Sequence, residues 1–81
     1  MELKDTVEMM QSDDYKERFK AEYYQTLERF NKLYNLLIKH EAGTLDFVPS
    51  CPIALLQEQK MYMDNYLHIL EVRAEIEGIK L

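Results

Sequence analysis

The chain has 81 residues, 15 Asp and Glu against 10 Lys and Arg for a formal net charge of -5, and one cysteine. A chain this short holds one domain that buries a modest share of its surface; one cysteine excludes an intrachain disulfide, so the extra burial is expected from partner subunits. The negative charge argues against a DNA or RNA polymer as ligand, because non-specific affinity for one rests on neutralising many phosphates, but a local basic cluster can serve a short ligand with two or three phosphates.

Met1-Glu2-Leu3-Lys4-Asp5 is acidic and polar, without the basic end and apolar stretch of a signal peptide, so the protein is expected to stay in the cytoplasm. The lone Cys51 fits a reducing compartment and reads as a helix-start or packing residue. Residues 1–11 form a short N-terminal segment, with Leu3, Val7 and Met10 at the i, i+4, i+7 spacing of a short helix that either frays or docks. Ser12-Asp13-Asp14 then supplies an N-cap, and a first long helix is predicted over 13–41, with Lys39 and His40 in its last turn and Gly43 as a left-handed C-cap. A loop over 42–51 follows. Ser50 or Cys51 is expected to cap a second long helix over 52–77, which tolerates Pro52 early and ends at Gly78. The apolar runs Leu36-Leu37-Ile38 and Pro52 to Leu56 fall far short of the roughly 20 residues that span a bilayer, so no membrane insertion is expected.

In the first long helix Tyr15, Phe19, Tyr23, Leu27, Phe30, Tyr34 and Leu37 follow steps of four and three and trace one seam, widened by Leu33 and Leu36. The second carries two stripes: Leu56, Met63, Leu67, Leu70 and Ala74, and beside them Tyr62, Tyr66, Ile69 and Ile76. A simple hairpin covers one. The fold class is therefore all-α, a hairpin of two long antiparallel helices with a short N-terminal helix, and the second stripe is read as an interface in a homo-oligomeric bundle. The rival reading is that the N-terminal segment covers that stripe.

No catalytic constellation emerges, and the chain is read as a non-enzyme without cofactor or metal. His40 and His68 belong to no metal-binding helical pattern. Asp14 with Arg18, Glu17 with Lys20, and Glu28 with Lys32 have the spacing of ion pairs on a solvated helix face. Two glycines 35 positions apart build no phosphate loop. The run from Tyr15 to Tyr24 is different: rings alternate with Lys16, Arg18 and Lys20, a composition that suits a nucleotide, although by composition alone packing rings and solvated charges account for it better. Arg73, flanked by Ile69, Val72 and Ile76, needs an anionic partner, such as a carboxylate of a neighbouring subunit.

Tyr15-x-x-Arg18-Phe19, then Glu22, Leu27, Arg29 and Leu33, followed by Leu55-Leu56-x-x-Gln59-x-x-x-Met63-x-x-Tyr66-x-x-Ile69-Leu70-x-x-Arg73, resembles the small helical phage proteins that sequester cyclic nucleotides and so counter cyclic-oligonucleotide-based antiphage signalling (CBASS). The resemblance covers about residues 13 to 77. It implies a homohexamer in the host bacterial cytoplasm that binds cyclic dinucleotides, and in some members cyclic trinucleotides at separate pockets, without cleaving them. Carried over, it makes Tyr15 the residue that stacks on a base within the Arg18 and Phe19 motif, Arg29 or Lys32 a phosphate ligand, and Arg73 a residue of the second kind of pocket. The alternative is a non-enzymatic interaction module whose free stripe docks a partner helix.

Overall fold

The computed structural model describes residues 1–81 and is helical throughout, with no strand. A 3-10 turn at Leu3–Thr6 runs into the short helix α1, Val7–Met10; the long helices are α2, Tyr15–Ala42, and α3, Ile53–Glu77. Asp14 starts α2 in extended conformation, its carboxylate accepting the Lys16 N–H at 3.0 Å, while the Ser12 hydroxyl accepts the Asp14 N–H at 3.0 Å. At the other end Gly43 takes φ 74°, and the N–H groups of Gly43 and Thr44 donate to the carbonyls of His40 and Lys39, closing the orphan acceptors of the last turn.

The start of α3 departs from expectation. Pro52, rather than Ser50 or Cys51, is the capping residue, at φ -59° and with no side chain to bond the first turn. A proline ring already holds a helix-compatible φ, and the N–H it lacks is one the helix leaves unpaired anyway. At the far end Gly78, at φ 70°, turns the chain back so that the Ile79 N–H reaches the Ala74 carbonyl at 2.8 Å and its side chain enters the core.

That core lies on the predicted seams. Phe19 and Tyr23 of α2 meet Leu67, Leu70 and Ala74 of α3, with Ile79 closing one end and Tyr24, Leu27 and Phe30 packed around it. Cross-helix partners are Tyr15 with Glu77, Phe19 with Arg73, Tyr23 with Glu71 and Tyr34 with Lys60, so that as numbers rise along α2 they fall along α3.

The N-terminal segment docks differently from the pattern of Leu3, Val7 and Met10. Val7 and Met10 are exposed, and the buried residue is Thr6, whose hydroxyl donates to the Leu3 carbonyl at 2.7 Å and accepts from the Gln25 amide at 2.9 Å. A polar residue serves here because both of its hydrogen-bonding roles are met inside. The turn and α1 pack on α2 and make no contact with α3. The rival reading of the second stripe is thereby overturned: Tyr62, Tyr66, Ile69 and Ile76 all face solvent, the last 79% exposed.

The buried Tyr23 phenol gives the hairpin a pH signature. Burial first, then its hydrogen bond to the Glu71 carboxylate at 2.8 Å, push its pKa from 10.0 up to about 12. The folded state thus holds this proton more tightly than the unfolded chain. Its contribution is fully present below pH 10 and is lost as pH rises from about 10 to about 12. Denaturant melts across that range are expected to show a steeper alkaline loss of stability for the wild type than for Tyr23→Phe; parallel curves would remove Tyr23 as the source.

Candidate functional site

The first turns of α2 and the last turns of α3 form a shallow recess of about 200 Å³, walled by Tyr15, Arg18, Phe19, Glu22 and Arg73. Its floor is Phe19, 4% exposed, which the core seam holds in place. The Arg73 guanidinium lies 5.0 Å over that ring, a cation–π contact, and the Tyr15 ring tilts against Phe19 with centroids 6.2 Å apart. Tyr15 itself is 46% exposed, so it is accessible from solvent.

A closed set of hydrogen bonds fixes the polar edge. Arg73 donates from Nη2 to the Tyr15 hydroxyl at 2.7 Å and from Nε to Glu77 Oε2 at 3.2 Å, while the Tyr15 hydroxyl donates to Glu77 Oε1 at 2.9 Å. The Glu77 carboxylate, as acceptor, raises the pKa of the Tyr15 phenol and stabilises the charged form of Arg73. The anionic partner that Arg73 requires is therefore supplied by its own chain, one helical turn further on. Beside it on α3, the Tyr66 phenol has its pKa raised by partial burial and then by the Glu22 carboxylate.

The other anticipated residues fall as follows. Arg18 is exposed and donates from Nη1 to the Ser12 carbonyl at 2.7 Å, in place of the ion pair expected with Asp14. The other two expected pairs form, Glu17 with Lys20 at 3.3 Å and Glu28 with Lys32 at 3.6 Å. Arg29 and Lys32 are exposed and lie about 21 and 26 Å further along α2 than Tyr15, at 1.5 Å rise per residue. No side chain spans that distance, so one chain brings Tyr15, Arg18, Phe19 and Arg73 together and leaves Arg29 and Lys32 outside the recess. Tyr15 and Arg73, which the resemblance assigns to different pockets, share one cluster.

Sequence reasoning missed Glu77, although a signal was present: it stands four residues after Arg73, the same helical pair spacing that identified Glu28 with Lys32. No group of three or more His, Cys, Asp or Glu is placed to hold a metal ion, and no helix is long and apolar enough to cross a membrane. A ring face, guanidinium donors and a buried aromatic floor equip the recess to hold a ligand with aromatic and anionic parts.

Compared with known proteins, the chain matches the model of one family, described as Sequestin, over residues 13–76. No curated protein and no solved structure matches it. The matched stretch takes in Tyr15, Arg18, Phe19 and Arg73 and stops one residue short of Glu77.

Proposed function

The chain belongs to the Sequestin family, and from that membership we propose that it binds and sequesters cyclic dinucleotides, and cyclic trinucleotides as well, without cleaving them. In this reading it is a phage or prophage protein that acts in the host bacterial cytoplasm and blocks CBASS signalling by holding the messenger away from its effector. Such a protein works by affinity and stoichiometry alone.

The observation that carries the reading is the recess between α2 and α3, where the open Tyr15 ring and the Arg73 guanidinium stand side by side over Phe19. Its volume of about 200 Å³ falls below the roughly 300 Å³ at which enclosed small-molecule pockets begin. In this reading one chain supplies part of a site, and a second copy completes it. The uncovered apolar stripe of α3 supports that association, since exposed apolar area of this kind marks an interaction surface. In the same reading the protein is an antiparallel helical hairpin assembled as a homo-oligomer, a hexamer by the resemblance. In the assembly Arg29 or Lys32 of a second copy meets a ligand phosphate that Tyr15 and Arg73 of the first cannot reach.

Thermal melting with a panel of cyclic di- and trinucleotides tests this. Ligand at about 100 times its Kd adds roughly 2.7 kcal/mol to the folded state and raises Tm, and the nucleotide is expected back intact after denaturation. No shift with any nucleotide, together with a monomeric mass in solution, would instead favour an interaction module whose α3 stripe docks a partner helix.

A further inference from the structure

We propose that the Glu77 carboxylate is an internal stand-in for a ligand phosphate, occupying the Tyr15 and Arg73 donors in the empty protein and leaving them when an anionic ligand binds. The inference rests on the reading of the recess as a nucleotide site and adds to it a residue that sets affinity. The geometry is that of an anion already bound. Each Glu77 oxygen takes one donor, Oε1 the Tyr15 hydroxyl at 2.9 Å and Oε2 the Arg73 Nε–H at 3.2 Å. Arg73 Nη2 closes the ring onto the Tyr15 hydroxyl at 2.7 Å. The two non-bridging oxygens of a phosphodiester make the same demand on the same donors, since guanidinium N–H and phenol O–H groups donate to carboxylate and phosphate oxygens alike.

Glu77 is also built to leave. The Arg73 and Glu77 side chains are 46% and 32% exposed, so solvent screens the pair and its loss is cheap. Glu77 is the last residue of α3, directly before Gly78 at φ 70°, and its side chain swings outward without unwinding any part of the helix that packs the core. The donors stay behind. Arg73 is held over the buried Phe19 ring and Tyr15 leans on the same ring, so both remain aimed at the recess after the carboxylate departs.

The energetic consequence is an exchange of one anion for another. In the empty site the Arg73 charge is already neutralised, and a displaced Glu77 remains close enough to repel what replaces it. Small anions without a ring gain little from the exchange. A ligand that also stacks on Tyr15 gains enough to displace the carboxylate, so Glu77 lowers the affinity of every anion by a similar factor and leaves bound only those with a further contact such as the Tyr15 ring.

The test is calorimetric titration of the wild-type protein, Glu77→Gln and Glu75→Gln with the cyclic dinucleotide that gives the largest melting shift. Glu75 is exposed on α3, and its substitution removes the same formal charge away from the recess. Glu77→Gln is expected to bind roughly three- to fivefold tighter, with Glu75→Gln at the wild-type value and all three melting alike without ligand. Unchanged or weaker binding by Glu77→Gln overturns the exchange while leaving sequestration in place; equal tightening by both variants overturns it too, as a general charge effect. Should the wild type bind no cyclic nucleotide, the sequestering reading itself fails, and the same variants are titrated with inorganic diphosphate. Tighter diphosphate binding by Glu77→Gln alone upholds the exchange, and equal binding overturns it.

Discussion

Replacing Arg73 with alanine is expected to weaken cyclic-nucleotide binding by roughly 10- to 100-fold, the loss that follows from removing a charged hydrogen-bonding partner worth about 1.5–3 kcal/mol. Two effects add. The guanidinium no longer meets the ligand's phosphate, and Glu77, which it neutralised at 3.2 Å, is left as a bare charge at the rim of the recess. Stability is expected to change little, because the Arg73 side chain is half open to solvent and an ion pair so placed contributes under about 1 kcal/mol. Arg73→Lys keeps the charge but loses the planar fork that reaches Tyr15 and Glu77 together, so it is expected to recover only part of the affinity. Titration calorimetry of both variants, beside their melting curves, reads the two effects separately. Full affinity in Arg73→Ala would remove the α2–α3 recess from the binding site.

The largest effect on folding is expected at Leu70. Its side chain is 0% exposed, at the centre of the cluster formed with Phe19, Tyr23, Leu67, Ala74 and Ile79. Leu70→Ala removes packed apolar volume and leaves a cavity that two long helices close only in part, a cost of about 2–5 kcal/mol. Small domains are stable by only about 5–15 kcal/mol, so Tm is expected to fall by roughly 10 °C or more. Its neighbour Ile69 provides the contrast. Ile69 is exposed in a single chain, so Ile69→Ala takes nothing from the hairpin core. In an oligomer joined through the second stripe it is expected to lower the dissociation temperature and the mass in dilute solution. Equal behaviour of the two variants would mean that the stripe and the core are not separate surfaces.

Much of this architecture was legible in the residues because its causes are local. Steps of three and four among Phe19, Tyr23, Leu27 and Phe30 place them on one face of any helix, whatever packs against it. Asp14 and Gly43 end α2 by chemistry that involves only their immediate neighbours, a carboxylate on an unpaired N–H and a residue without a Cβ at positive φ. Two full apolar stripes on α3 likewise implied an uncovered surface. Residues 1–11 are less legible. Spacing picked Leu3, Val7 and Met10, whereas docking uses Thr6 against Gln25, and no periodic rule finds a buried hydroxyl whose partner lies 19 residues away.

The sequence alone determined the two long helices, the ends of α2, the Gly78 end of α3, the seam of the core and the presence of an aromatic-basic cluster, since each depends on contacts within a few residues along one helix. The tertiary structure decided which of those residues meet. Tyr15 and Arg73 are 58 positions apart and Tyr15 and Glu77 are 62, and they touch only because of how far α2 is slid along α3. That offset is set by the fit of Phe19, Tyr23, Leu67 and Leu70 and by the turn at Gly78 that brings Ile79 into the core. A shift of one helical turn would keep the two core stripes facing each other and would take Arg73 away from Tyr15. Periodicity is indifferent to such a shift, whereas close packing is not.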